Sequence, residues 1–213
     1  MIYVLSEKVY EGAKNLPCIM IRYMEKNLDV SAYAALIFSS KNGVYALDSC
    51  SENWQGLPAY AIGKGTEDAI LERGGHVVYK ARSSYGDDFS QEIKSFLKNK
   101  KVLFPRAKVV TSKLNQILQD AGVLLDEEIV YETLCSRCDT LVKPKHGAIM
   151  IFSSPSTIKC FFQCFTWDES YRAVVIGTRT ASYMPKNVPF VQSLEQTIPS
   201  CISLAYKLSK NAL

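Results

Sequence analysis

Residues 36–44 read LIFSSKNGV, and residues 150–158 read MIFSSPSTI. The two stretches lie 114 positions apart, and the same offset carries Ile62, Gly63 and Thr66 of AIGKGTEDAI onto Ile176, Gly177 and Thr180 of VIGTRTASYM. Two separate motifs kept at one ungapped spacing mark an internal duplication, and such a repeat takes precedence over any local pattern. A unit this long, present twice, does not suit a solenoid; it suits two similar α/β halves. The expected ligand site lies between those halves.

Around each stretch the pattern alternates strand and helix. Residues 35–38 are apolar on both faces, as a buried parallel strand requires. Ser39 and Ser40 can cap the next helix, whose inner face is Val44, Leu47 and Cys50. A strand at 60–62 ends in Gly63. Thr66 is expected to cap the helix behind it, with Glu67 and Asp68 in its first turn and Gly74 at its end. Further on come a strand at 76–79, a helix at 90–98, a strand at 102–104 closed by Pro105, a helix from about Val110 to Gly122, and a strand at 128–133. In the second half a strand at 148–152 leads to Ser154 as cap and Pro155 as first helical residue, with Ile158, Phe161, Phe162 and Phe165 on one face. A strand at 173–176 ends at Gly177, Thr180 opens a short helix that Pro185 breaks, and a strand at 188–191 and a helix at 199–210 complete the chain. Residues 2–5 and 18–24 (CIMIRYM) read as extended, and 6–17 as loop.

Strands that alternate with helices form parallel sheets covered on both faces, and ligands bind such sheets outside the carboxyl ends of the strands. Both repeated motifs fall there, at helix starts that offer backbone N–H groups and small hydroxyls. That chemistry suits an anion.

The bulk composition excludes several classes of function. With 25 basic and 21 acidic residues the net charge is +4, too mild for nucleic-acid binding in the absence of a basic stripe. No apolar run reaches the length of a membrane span, and MIYVLSEKVYEGAK lacks a signal pattern, so a cytoplasmic protein is expected. The cysteines number seven, an odd count, and are scattered, which does not read as a disulfide framework. Cys135 and Cys138 form a CxxC, and Cys160 and Cys164 lie one helical turn apart. A zinc site could be assembled from the four, but a lone CxxC is a weak signal and the phenylalanines around the second pair favour simple packing. No metal is expected. Dinucleotide, P-loop and nucleophile-elbow motifs are absent, and His76 and His146 are the only histidines, which disfavours triad hydrolysis. The remaining possibility is chemistry governed by how a substrate is held.

LIFSSKNGV, YAIGKGTEDAILERG, VLFPRA, VYET, IFSSPST, VVIGTRTA and PSCISLAYKL, in this order through nearly the whole chain, resemble the uroporphyrinogen-III synthase family. The resemblance implies two flavodoxin-like parallel-sheet lobes joined by two linker strands, with a cleft between the lobes. One lobe would be residues 1–19 plus 134–213 and the other 20–133, with CIMIRYM and EIVYETL as the crossing strands. It implies a cofactor-independent, monomeric lyase that cyclises hydroxymethylbilane to uroporphyrinogen III with loss of water and inversion of ring D. The family's catalytic tyrosine falls on Tyr131, and its substrate-binding positions fall on Ser40, Gly63, Thr66, Ser154, Ser156, Arg172, Gly177 and Thr180. Arg179 and Thr157 depart from the residues frequent at their positions. The residues alone also admit a two-lobed protein that binds a small anion without chemistry, or a sugar-phosphate isomerase.

Overall fold

The computed structural model describes residues 1–6, 8–82 and 85–210. In chain order its strands are β1 (Ile2–Val4), β2 (Lys14–Asn15), β3 (Ile19–Tyr23), β4 (Ala35–Phe38), β5 (Pro58–Ala61), β6 (His76–Lys80), β7 (Lys101–Ala107), β8 (Leu124–Cys135), β9 (Ile149–Phe152), β10 (Arg172–Val175) and β11 (Phe190–Gln192). The helices are α1 (Lys41–Asp48), α2 (Lys64–Glu72), α3 (Gly86–Leu97), α4 (Leu114–Asp120), α5 (Pro155–Cys164), α6 (Thr178–Ala181) and α7 (Ile198–Lys210). Two compact units result: Met1–Met20 with Leu134–Leu213, and Ile21–Thr133.

In the Ile21–Thr133 unit the sheet order is β3-β8-β7-β4-β5-β6, and β8 through β6 pair in parallel. The central strand β4 is buried on both faces. On one side Phe38, Leu47, Trp54 and Ile70 pack beneath α1 and α2; on the other Ile37, Phe104, Ile93 and Leu118 pack beneath α3 and α4. The other unit has the order β11-β10-β9-β1-β2, all parallel, with the two faces of β9 supplying Met150 and Phe152 to one core cluster and Ile149 and Ile151 to the other.

The 114-residue repeat holds at the level of single hydrogen bonds. Ile62 donates its N–H to the Phe38 carbonyl at 3.0 Å, and Ile176 donates to the Phe152 carbonyl at 3.0 Å. Ser40 and Ser154 are both N-caps, and Gly63 and Gly177 are both N-caps. Each half of the duplication thus ends two neighbouring parallel strands at the same level and starts a helix from each.

Several local expectations are corrected. Thr66 and Thr180 do not cap; each is the third residue of its helix, buried at 5% and 3% exposure, and the cap is the glycine three positions earlier. Pro105 does not close its strand but lies within β7, paired with Glu128. It is tolerated because β4 pairs with β7 only at Val102 and Leu103, so no partner needs an N–H from residue 105. α1 also approaches β7 closely here: a Cβ on Gly43 would stand 2.8 Å from the Pro105 carbonyl oxygen. The stretch 6–17 contains β2, two residues long, which pairs in parallel with β1. α3 begins at Gly86, earlier than its apolar pattern indicates, and α4 begins at Leu114, later.

The cysteines also depart from expectation. Cys135 is bridged to Cys160 and Cys138 to Cys164. The chain following β8 runs beside α5, so the CxxC meets the two cysteines one helical turn apart, a juxtaposition across 25 and 26 residues of sequence. Packing remains part of the role of Cys160, which is 3% exposed within the aromatic core around Phe161. Among the described residues, no helix is long and apolar enough to cross a membrane.

Candidate active site

In the Ile21–Thr133 unit three of the sequence-nominated residues share the carboxyl end of the parallel sheet. Ser40 follows β4, Gly63 follows β5, and Tyr131 pairs with Ala107 at the end of β7. Ser40 has extended backbone, and its hydroxyl oxygen accepts from the Asn42 N–H at 3.2 Å. That leaves the hydroxyl proton for a second partner, and the Ser40 side chain lies close enough to the Tyr131 phenol to act on its ionisation. The same serine thus both caps α1 and neighbours the phenol.

Tyr131 is 6% exposed. Burial pushes its phenol above the ordinary value, the Ser40 hydroxyl draws it partly back, and the nearby Tyr23 phenol raises it again. The phenol accordingly stays protonated through the neutral range and above, a donor rather than a base. Folding stability linked to this group is intact below the ordinary phenol pKa of about 10 and is lost as pH rises through the elevated folded value.

The next residue carries a charge cluster that sequence reading missed. Glu132 is 5% exposed and ion-pairs with Arg22 and, at 3.3 Å, with Lys108. Arg22 first, then Lys108, hold its carboxyl below the usual carboxylate range against the opposing effect of desolvation. Because the folded pKa is depressed, the linked stability is present above the unfolded carboxylate value of about 4.3 and is lost as pH falls through the folded one. Glu132→Gln should thus lower the urea midpoint at about pH 7, and the gap from the parent protein should narrow on acidification to about pH 3. Equal gaps at both pH values would show that the pairs contribute nothing. Arg22 and Glu132 lie on the neighbouring strands β3 and β8, whereas Lys108 follows β7, so no local pattern of residues marks the cluster.

Gly63 is held by backbone geometry. Its φ of +70° and ψ of 165° lie in a region open essentially to glycine alone, while no atom within 4 Å would meet a Cβ. Gly63→Ala should cost about 1–3 kcal/mol through backbone strain alone. Gly177 has extended φ, −178°, and the atoms nearest to a Cβ there belong to the flexible Gln196 side chain, the first at 3.0 Å. Gly177→Ala should cost less, and paired urea titrations of the two variants measure the difference. Beyond Gly63, α2 opens with first-turn amides that have no partner within the helix.

The other unit presents the matching ends. Ser154 caps α5 by accepting from the Thr157 N–H at 3.3 Å, while Thr157 Oγ1 accepts from the Ser154 N–H at 3.2 Å. This reciprocal box explains Thr157: its side chain, fully buried, occupies the position where the first repeat has Gly43. Ser156 lies one residue earlier, half-buried in the first turn. Gly177 and Thr180 begin α6 from the end of β10. Arg172 stands apart from all of these. It begins β10, at the amino end of the strand, and its guanidinium donates to the Leu208 carbonyl at 2.7 Å. There it caps the carboxyl end of α7, where a cation complements the helix dipole. The structure brings together Tyr131, Ser40 and Gly63 in one unit, and Ser154, Ser156, Gly177 and Thr180 in the other; it leaves Arg172 at the opposite sheet end.

A family model described as uroporphyrinogen-III synthase HemD matches residues 13–203. Among solved structures, uroporphyrinogen-III synthetase from Helicobacter pylori is similar at 29% identity and a TM-score of 0.82, over 97% of this chain and 98% of that one. A mutant uroporphyrinogen III synthase from the extremely thermophilic bacterium Thermus thermophilus shares the fold at 12% identity and a TM-score of 0.60, over 100% and 99%. No curated protein sequence matches the chain. Two similar parallel-sheet units built on one duplicated motif, a buried tyrosine beside a capping serine, and a family match over nearly the whole length lead to one conclusion: the chain belongs to the uroporphyrinogen-III synthase HemD family.

Proposed function

We infer that the chain is a lyase that cyclises hydroxymethylbilane to uroporphyrinogen III, releasing water and inverting the last pyrrole ring. The observation that carries this reading is the buried Tyr131 phenol beside Ser40, its pKa raised by burial, in a chain that matches the family from residue 13 to residue 203. The linear tetrapyrrole loses hydroxide from its hydroxymethyl carbon. Tyr131 donates a hydrogen bond, then its proton, to that oxygen as the C–O bond breaks, and water leaves. The electron-rich pyrrole supplies the electrons, so a weak acid suffices. The proton released when the attacking ring regains aromaticity restores the phenol, and the balance is one substrate to one product plus one water.

Spontaneous closure yields the uninverted isomer I. The enzyme's main task is therefore to hold one conformer of a flexible substrate, which is catalysis by orientation. The substrate's eight carboxylates are chemically matched to the helix starts at Ser40, Gly63, Ser154 and Gly177, whose first-turn amides and hydroxyls suit anions. The buried Thr66 and Thr180 side chains anchor these turns, and any contact they make to substrate is through backbone N–H. Arg172, at the other end of its strand, is not required for this reading.

The direct test is cyclisation of freshly prepared hydroxymethylbilane, with the oxidised products separated by isomer. Mostly isomer III with the protein and mostly isomer I without it is the expected result. Isomer I in both, from folded protein, would overturn the reading.

A further inference from the structure

The four cysteines brought together by the fold have no part in ring closure. Cys135 and Cys138 are spaced C-x2-C at the end of β8, and Cys160 and Cys164 are spaced C-x3-C on one face of α5. Both spacings fall in the range used by ligand pairs of structural zinc sites. The Cα atoms of each facing pair are 5.1 and 5.0 Å apart. Both bridges join the same two elements, the stretch after β8 and one face of α5, with their cysteines three residues apart on the first and four apart on the second. The four cysteines thus come two from a turn and two from a helix, the two backbone elements that a tetrahedral thiolate site draws on.

The surroundings suit a structural rather than a catalytic ion. Cys160 is buried against the Phe161 core, whereas Cys138 is exposed, so the site has a dry floor and an open side through which a metal can enter. The set is closed by four protein ligands and leaves no position for water. Soft thiolates in a tetrahedral array select zinc among the common divalent metals.

We propose that, in its reduced form, this cluster binds one zinc ion through Cys135, Cys138, Cys160 and Cys164, tying the segment after β8 to α5, and that the two disulfides are the oxidised, metal-free state of the same site. With the sulfurs bridged, the described residues offer no group of three or more potential metal ligands, so the proposal concerns the thiol form alone. A phosphine reductant converts one state to the other. Each bridge takes two electrons from one phosphine, which gains the oxygen of one water while that water's hydrogens end on two thiols. Zinc then displaces four protons and forms four Zn–S bonds. The proposal replaces the expectation of no metal and is independent of the reading of Tyr131.

The protein, purified with a phosphine reductant from cells grown with zinc, is expected to carry about one zinc per chain by atomic emission. Denatured with a chelator it should release all seven thiols. Metal-free reduced protein should take up cobalt(II) with the intense visible absorption of a tetrahedral four-sulfur site, and zinc should abolish that absorption. Cys138→Ser should shift the cobalt spectrum toward fewer sulfurs; should that variant fail to fold, cobalt uptake by the unsubstituted protein decides the question alone. If alkylation at the moment of lysis traps only the three unbridged cysteines, Cys18, Cys50 and Cys201, the bridges are permanent and the proposal falls. Reduced, folded protein that takes up no cobalt would overturn it equally.

Discussion

Tyr131→Phe is expected to slow formation of uroporphyrinogen III about 10²-fold while leaving the fold intact. The substitution removes only the oxygen; the ring, which belongs to the same buried cluster as Val130 and Leu36, stays. The lower end of the range for general acids is expected because a phenol whose pKa is raised is a weak acid, and because orientation of the bilane carries the larger share of rate. Slower enzymatic closure lets spontaneous cyclisation compete, so the product should move toward isomer I at low enzyme concentration. Ser40→Ala should act in the same direction but less strongly, since it removes the group that lowers the phenol's pKa without removing the phenol. Turnover of the parent protein should be flat from about pH 7 to about pH 9, because the donor keeps its proton below the elevated value. Unchanged rate and isomer ratio for Tyr131→Phe would remove the phenol from the chemistry.

The largest effect on stability is expected at Phe161→Ala, about 3–5 kcal/mol. Phe161 is fully buried in α5 and meets Phe152 edge-on at 5.5 Å, Phe162 at 5.3 Å, Phe165 at 5.2 Å and Trp167 at 6.2 Å between ring centroids. Truncation leaves a hole walled by rings from β9, from α5 and from the segment directly after it, and neither β9 nor α5 can move inward without giving up sheet pairing or helix packing. Phe161→Leu keeps most of the volume and should cost under about 1.5 kcal/mol. Urea unfolding followed by Trp167 fluorescence reports on this unit. Equal midpoints for the two variants would show that the aromatic cluster is not closely packed.

The alternation of strands and helices is legible from periodicity and from local hydrogen-bonding chemistry. Ser40 and Ser154 cap because a hydroxyl can reach an amide two or three residues on, and Pro155 starts a helix because its fixed φ suits that position; both are decided within one turn of chain. The same logic predicts caps at Thr66 and Thr180, and there it fails. The conformation of the preceding glycine, +70° in one repeat and extended in the other, starts each helix earlier and turns the threonine inward. Pro105 finds its place inside β7 only because β4 stops pairing before it. Arg172 carries the charge an anion site wants, but its place at the amino end of β10 sets it against α7 instead.

By itself the sequence determined the duplication, the α/β class and the family, because each rests on residue types at fixed spacings along the chain. It could not show which groups distant in sequence come into contact. That Tyr131 meets Ser40 across 91 positions, that Glu132 sits between Arg22 and Lys108, and that Cys135 and Cys138 face Cys160 and Cys164 were decided only by tertiary structure. The physical reason is the same in each case. Burial and hydrogen bonding act on neighbours in space, and in a parallel sheet those neighbours are supplied by strands that a helix separates in the chain.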